Sequence, residues 1–146
     1  MKLELLFNLI GPDMTAVDAV IRARLHSDVV LVRQVAEYIV NAGGKRLRPA
    51  LVLLAAGAMG YQGTHHHDLA AVVEMIHTST LLHDDVVDES DMRRGKETAN
   101  ALFGNAASVL VGDFIYTRAF QLMTSLDSLK ILRIMSDATN VIAEGE

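Results

Sequence analysis

The chain has 146 residues, with 13 Lys and Arg against 18 Asp and Glu, which gives a formal net charge of −5. This is the length of one domain, and the hydrophobic content of 51% excludes a largely disordered chain. The absence of cysteine excludes disulfide bonds, thiolate zinc sites and a cysteine nucleophile.

The first third of the chain is predicted to be helical, because apolar residues recur at spacings of three and four. A short helix should end before Gly11-Pro12, and a second helix follows it. Ser27-Asp28 is predicted to cap a third helix, which Gly43-Gly44 should end. The run Val29–Val32 could by itself form a strand, but we favour a helix because the pattern exceeds the usual strand length.

The rest of the chain continues this pattern, so we expect an all-α fold. Pro49 suits the first turn of a fourth helix. A long helix should begin near His65 and continue to about Val87. The polar, glycine-containing segment Glu89–Gly104 should then be a loop or a distorted continuation of that helix. No linker is visible, so residues 1–146 are predicted to form one unit without an internal boundary. The predicted caps of the last two helices, the second of which should reach the chain end, are Asn105 and Ser128.

The sharpest chemical feature is the acidic segment Asp84–Asp88, at the end of the long apolar helix. Asp84 and Asp88 are four residues apart and share one helix face, and Asp85 lies beside them. Like charges at this spacing destabilise a helix, unless a divalent cation lies between them. Carboxylate oxygens suit Mg²⁺, which usually shares its site with substrate phosphates. An acidic helix end that is merely solvated is the alternative.

Two basic turns accompany this acidic segment: Gly43–Pro49, which contains Lys45 and Arg48, and Arg93–Lys96. Arginine binds phosphate in a bidentate manner, and glycine lets the backbone approach closely. Each turn alone is more typical of a solvated loop. Together they predict a site for a small anion, held in part through a metal.

Histidines and further polar residues are harder to interpret. His77 lies two turns before Asp84 on the same stripe, whereas His83 should point elsewhere and either support a neighbouring site residue or serve in packing. The consecutive residues His65–His67 are expected to be a solvated helix start. Asp113 and Arg118 could form a buried polar pair or join the acidic site, and the sequence does not decide between these.

The order Gly43–Pro49, His77, Leu81–Asp88 and Met92–Lys96 resembles the N-terminal half of the trans-isoprenyl diphosphate synthases, most of all their long-chain bacterial members. The resemblance covers nearly the whole chain. It implies an antiparallel helical bundle of the isoprenoid synthase type. It also implies head-to-tail transfer, in which an allylic diphosphate ionises and isopentenyl diphosphate attacks the cation.

The resemblance also assigns roles to residues. Asp84 and Asp88 would bind Mg²⁺ with support from Asp85, and Arg93 would hold the allylic diphosphate. The residues that match the isopentenyl diphosphate site of the family are Lys45, Arg48, His77 and Arg94. Small residues at Ser79 and Thr80, where short-chain members carry aromatic side chains, imply an open path and a long product.

The chain departs from the family in length, since family members are about twice as long and carry a second aspartate-rich motif. The acidic residues of the last helix, Asp137, Glu144 and Glu146, do not reproduce that motif. We therefore expect these 146 residues to be half of a catalytic domain and inactive alone. The resemblance implies a homodimer for the complete protein.

The N-terminal segment lacks the basic start, apolar run and small-residue cleavage site of a signal peptide. No apolar run reaches the roughly 20 residues that a bilayer requires. We expect a cytoplasmic protein, and its net acidity argues against nucleic acid as a partner. Two other functions stay open. His83-Asp84 in a helical chain would suit an HD-type metal phosphohydrolase, and the chain could be a non-catalytic partner subunit.

Overall fold

A computed structural model describes residues 2–145 of the chain. Eight α-helices and one small hairpin account for the regular structure of these residues, which confirms the predicted helical architecture. In chain order the helices are α1 (Leu3–Leu9), α2 (Gly11–Arg24), α3 (Val30–Ala42), α4 (Leu47–Ala58), α5 (His65–Val87), α6 (Ala99–Phe103), α7 (Asn105–Thr124) and α8 (Leu129–Ala143).

Helix α5 is the centre of the bundle, and it packs against α7 on one side and against α2 and α4 on the other. The core between these helices is aliphatic. Val72, Met75 and Leu82 of α5 meet Val111 and Ile115 of α7, and all five are at most 1% exposed. Burial of each such side chain contributes about 1.5–3 kcal/mol, so this contact fixes the position of α5.

Helix α8 is only lightly attached to the bundle, through a small contact with α7. Its apolar stripe contributes Ile131, Leu132 and Met135 to the edge of the core, whereas Ile134 and Val141 remain about half exposed. Within the part of the chain that the structure describes, no helix combines the length and the apolar character needed to cross a bilayer.

The helix boundaries agree with the sequence in most places, but two predicted caps are wrong. Ser128 caps α8 by accepting a hydrogen bond from the Ile131 amide, as predicted. Asn105 is the first residue of α7 and does not cap it, because Gly104 (φ +94°) occupies the capping position. Neither Ser27 nor Asp28 caps α3, because Val29 occupies the capping position and no side chain caps this helix. The Ser27 hydroxyl accepts from Val29 N before the helix begins.

The polar segment after α5 is more ordered than a loop. It contains a hairpin of β1 (Met92–Arg93) and β2 (Lys96–Glu97), followed by the short helix α6. The turn residues Arg94 (φ +50°) and Gly95 (φ +77°) both have positive φ, which is the geometry that two-residue hairpin turns require. Thr98 caps α6 through a bond from the Ala101 amide, a cap that the sequence analysis missed.

Candidate active site

The acidic end of α5 divides its three aspartates into two environments. Asp84 and Asp88 are exposed, whereas Asp85 is 4% exposed and points into the fold. Both carboxylate oxygens of Asp85 accept hydrogen bonds from Arg93, at 2.6 Å from Nη2 and 3.1 Å from Nε. This bidentate pair raises the pKa of Arg93, mainly through the hydrogen bond to Asp85, with smaller effects from Asp84 and Asp88.

The hairpin that carries Arg93 is held in place by contacts to its neighbours. The Tyr38 hydroxyl of α3 donates to the Glu97 carbonyl at 2.6 Å. Thr98 and Asn100 both donate to the Ser90 carbonyl, at 2.8 and 3.0 Å. These bonds fix both ends of the hairpin, so the Arg93 guanidinium is positioned beside α5 by the backbone and not only by its own ion pair.

Asp84 and Asp88 fit a hard divalent cation by their chemistry. Unlike Asp85, neither of them binds an arginine, and among residues 2–145 neither makes an ion pair. Four carboxylate oxygens on one helix face supply the ligand type that Mg²⁺ prefers. Asp85 lies on the same turn, but its oxygens are already committed to Arg93.

The four basic residues predicted to bind isopentenyl diphosphate lie near one another at the junction of α3, α4, α5 and the hairpin. Arg48 Nη1 lies 3.2 Å from His77 Nε2. Arg94 Nη1 donates to the Gly43 carbonyl at 3.2 Å, and its guanidinium fills the space where a side chain at Gly44 would be. Lys45 is exposed in the same loop. A glycine pair in this loop therefore admits Arg94 beside the backbone.

This arrangement places His77 in a strongly basic surrounding. Burial, together with Arg48, Arg94 and Arg93, lowers the pKa of His77 to about 4. The imidazole is therefore neutral at neutral pH, and its Nε2 accepts the hydrogen bond from Arg48. A neutral ring among three arginines leaves the net charge of the cluster positive, which suits an anion.

Glu74 is the residue of this cluster that the sequence analysis missed. It lies one turn before His77 on α5, and its carboxylate is 3.7 Å from Arg46 Nη1. Burial raises the pKa of Glu74, although Arg46, Arg48 and Arg94 act to lower it. The sequence does contain a signal for Glu74, because it is the single acid within the apolar stretch Ala70–Ile76. A glutamate in a buried stretch usually has a charged partner.

Two adjoining cavities run from the acidic end of α5 toward α8. Their volumes are about 360 and 630 Å³, and Asp84 and Thr80 line both of them. The larger also touches Arg48 and His77, and the smaller touches Asp113. Apolar residues of α5 and α8, which include Ile76 and Ile142, form much of the walls. The charged groups thus lie at the mouth of a largely apolar space.

Ser79 and Thr80, predicted to control product length, occupy different positions in this space. Thr80 is half-buried and lines both cavities. Ser79 is 2% exposed, lines only the smaller cavity, and donates from its hydroxyl to the Gly112 carbonyl of α7 at 2.8 Å. Thr80 therefore borders the space directly, and Ser79 also joins α5 to α7.

Asp113 and Arg118 do not form a pair. Asp113 is exposed, with Oδ1 3.2 Å from His83 Nε2, and it lines the smaller cavity together with Asp84. Arg118 instead lies over the Phe114 ring and donates to the Arg24 carbonyl. His83 packs against Gly112, but it also lines the smaller cavity together with Asp84, so it does not point away from the acidic site as predicted.

The predicted solvated start of α5 is wrong for two of its three histidines. His65 is exposed, but His66 and His67 are half-buried and both face Asp13 of α2. Asp137 of α8 is exposed. Glu144, just after α8, accepts a hydrogen bond from Asn140. Glu146 lies outside the described residues.

The described residues form a helical bundle with an aspartate-rich helix end, a basic cluster and largely apolar cavities, which is an arrangement that would suit an anionic, partly apolar ligand. The sequence model of the polyprenyl synthetase family matches residues 29–146. Since this match covers most of the chain, the protein belongs to the polyprenyl synthetase family.

Similar proteins from bacteria include long-chain members of this family. The chain is 66% identical to an octaprenyl diphosphate synthase of Escherichia coli over all 146 residues, which make up 45% of that relative. It is 50% identical to an all-trans-nonaprenyl-diphosphate synthase of Rhodobacter capsulatus, with 94% of this chain and 42% of the relative covered. The chain thus spans less than half the length of the curated relatives it matches.

Solved structures share the fold closely. A decaprenyl diphosphate synthase from Rhodobacter capsulatus superposes with a TM-score of 0.94 at 51% identity, over 97% of this chain and 44% of that one. A polyprenyl synthase from Caulobacter crescentus, complexed with calcium and isoprenyl diphosphate, superposes with a TM-score of 0.95 at 49% identity. The match covers 99% of this chain and 44% of that one. The helical arrangement is therefore that of the isoprenoid synthases.

Proposed function

We propose that the complete protein catalyses head-to-tail prenyl transfer, adding isopentenyl diphosphate to an allylic diphosphate to make a long, octaprenyl-like product. The observation that carries this proposal is the pair of largely apolar cavities that Asp84 lines, the larger of them together with Arg48 and His77 of the basic cluster. The names of the relatives support the same reaction. The matched residues are only part of such an enzyme, so activity is assigned to the complete protein.

The acidic end of α5 would hold the leaving group. Asp84 and Asp88 present oxygen ligands for Mg²⁺, which when bound would neutralise the charge of the departing diphosphate. Arg93, fixed by Asp85 and the hairpin, would offer the edge of its guanidinium that faces solvent to the allylic diphosphate. Asp85 would act chiefly by positioning Arg93, which sharpens the supporting role that the sequence suggested.

The basic cluster would hold the second substrate without a metal. Arg48 and Arg94 carry fixed positive charges, Lys45 is free to swing from its loop, and the neutral His77 would supply a hydrogen bond from Nδ1. Glu74 limits the excess of positive charge and holds Arg46. This arrangement would leave the apolar end of isopentenyl diphosphate near Asp84 and the cavity mouth.

The apolar cavities would receive the growing chain. Thr80 lies one turn from Asp84 and borders both cavities, so elongation would proceed past it toward α8. The small size of Ser79 and Thr80 leaves this path open. No nucleophilic side chain is needed for the reaction, which agrees with a chain that has no cysteine.

The test is an elongation assay with Mg²⁺, an allylic diphosphate and labelled isopentenyl diphosphate. We expect labelled long-chain product from the complete gene product, including whatever is encoded after Glu146, and none from a polypeptide of residues 1–146. Elongation by that polypeptide would contradict the expected inactivity. A complete protein that released phosphate from nucleotides and made no polyprenyl product would favour the hydrolase instead.

The hydrolase is less well supported by the geometry. His83 and Asp84 would need a second histidine and an aspartate around one metal, and within the described residues the one three-residue metal-ligating group is elsewhere, at Asp13, His66 and His67. Homodimer formation and a cytoplasmic location stay predictions for the complete protein.

A further inference from the structure

A second cluster of metal-ligating side chains lies at the opposite end of α5. Asp13 of α2 meets His66 and His67 of α5, and ligand atoms of all three lie within 4.8 Å of one another. His67 Nε2 is 2.7 Å from Asp13 Oδ1, and His66 Nε2 is 3.7 Å from the same oxygen. We propose that these three residues bind a borderline divalent cation, with Zn²⁺ as the preferred ion.

The state of His66 is the strongest argument for this site. Its side chain is 16% exposed, yet its Nδ1 is buried without a hydrogen-bond partner among the described residues. Its Nε2 points at Asp13 from 3.7 Å, which is too far for a hydrogen bond. A half-buried ring that makes no hydrogen bond is costly. A cation between His66 and Asp13 would bind Nε2 and so give the ring one polar partner, although Nδ1 would still have none within residues 2–145.

The distances suit a tetrahedral ion. Zinc–nitrogen and zinc–oxygen bonds of about 2.0–2.2 Å place two tetrahedral ligands about 3.4 Å apart. The two measured distances to Asp13 Oδ1, 2.7 and 3.7 Å, lie on either side of that separation. The edge-on contact of the Tyr61 ring, 5.1 Å from His66, limits rotation of the imidazole. Small side-chain rotations would therefore complete the site, with water as the fourth ligand.

This cluster is separate from the aspartate-rich end in both position and chemistry. His67 and Asp84 are 17 residues apart on one helix, which corresponds to about 25 Å along its axis. Imidazole suits zinc, copper and nickel, whereas a site made only of carboxylates suits Mg²⁺. The two ends of α5 thus select different ions, and the zinc site does not depend on the proposed reaction.

The expected effect of the ion is structural. Asp13 lies 54 residues from His67 in the sequence, so one ion would link α2 to α5 at the edge of the bundle. A ligand that binds the folded chain and not the unfolded one raises stability by mass action. Binding should therefore increase the melting temperature as the zinc concentration rises above the dissociation constant.

The test is zinc titration of the purified, chelator-treated protein by calorimetry, with excess Mg²⁺ present to occupy carboxylate sites. We expect one equivalent of tight binding and a raised melting temperature. His67→Gln keeps a neutral hydrogen-bond donor toward Asp13 but removes a ligand. Loss of an outer-shell partner alone typically weakens metal binding about 10–100-fold, so loss of a ligand should cost at least as much.

His65→Gln is the matched control, since His65 is adjacent and exposed but lies outside the cluster. It should leave zinc affinity unchanged. Equal weakening by His65→Gln and His67→Gln, or full affinity in His67→Gln, would overturn the proposal. If His67→Gln does not fold, the visible spectrum of Co²⁺ bound to the unaltered protein tests the proposal instead. An intense tetrahedral visible spectrum supports the site, and a weak octahedral spectrum overturns it.

Discussion

The two ends of helix α5 treat their charged groups in opposite ways. At the end that contains Asp84 and Asp88, carboxylates remain exposed, and a basic cluster stands nearby with an excess of positive charge. At the end that contains His66 and His67, polar groups are half-buried and face a single carboxylate, Asp13. In the proposed function the exposed end receives substrate, whereas the other end joins α2 to α5 within the fold.

The comparison also explains why α5 can carry both sites. Its middle portion, through Val72, Met75 and Ser79, is buried and fixed against α7. Rigid elements hold functional groups more precisely than loops do. This buried segment therefore holds the charged residues at the helix ends in a fixed direction.

The largest effect is expected for Asp84→Ala in the complete protein. Because Asp84 is exposed, unpaired among residues 2–145 and at the cavity mouth, its loss should remove prenyl transfer, by about 10³-fold or more if it binds the ion that stabilises the leaving group. Steady-state kinetics with labelled isopentenyl diphosphate measure this. Stability should change little, since no contact in the fold is lost.

The control for this variant is Glu37→Gln, because Glu37 is an exposed acid on α3 that lines neither of the two cavities. It should leave the rate unchanged. A near-normal rate in Asp84→Ala would remove the metal role assigned to this end of α5.

Thr80→Phe should shorten the product while leaving the first condensation intact. Thr80 borders both cavities, so an aromatic ring there would block the path toward α8. Ser79→Phe should also shorten the product, but it must displace the bond to Gly112 and overpack the core, at a cost of about 1–3 kcal/mol. Chromatography of the products tests both, and unchanged length in an active Thr80→Phe enzyme would refute the proposed path.

Asp85→Asn should reduce stability in a way that Asp84→Asn does not. The Asp85–Arg93 pair is bidentate and buried on the aspartate side, and charge-assisted hydrogen bonds of this kind contribute about 1.5–3 kcal/mol. We expect a loss of about 2 kcal/mol in urea unfolding, together with weaker binding of the allylic diphosphate. Equal stabilities of the two variants would show that Arg93 is positioned by the hairpin alone.

Some of this contrast could be predicted from the sequence. The spacing of Asp84 and Asp88 places both on one helix face, and the apolar stripe before them predicts α5 nearly to the residue. Local periodicity is enough for such features. The motif residues of the basic turns were likewise found, since they are consecutive in the chain.

The remaining contacts depend on partners that are distant in sequence or on unusual backbone geometry. Nothing near His67 indicates that Asp13, 54 residues earlier, faces it. The hairpin turn uses Arg94 at positive φ, where asparagine or aspartate before glycine would have been the recognisable signal. Without the hairpin, the pairing of Asp85 with Arg93 could not be predicted either, and the sequence suggested only a supporting role for Asp85 at the metal.

The smallest effect is expected for a change at His77, which lies within α5 between its two ends. Its pKa of about 4 in the folded chain lies below the ordinary value of 6.5, so the unfolded chain binds more protons between these values. The contribution of His77 to stability is therefore fully present above pH 6.5 and declines as the pH falls toward 4. His77→Gln, which can still accept from Arg48, should remove this part of the decline. Urea unfolding of both proteins from pH 4 to 7 measures the difference. Parallel curves would mean that the arginines around His77 do not hold it neutral.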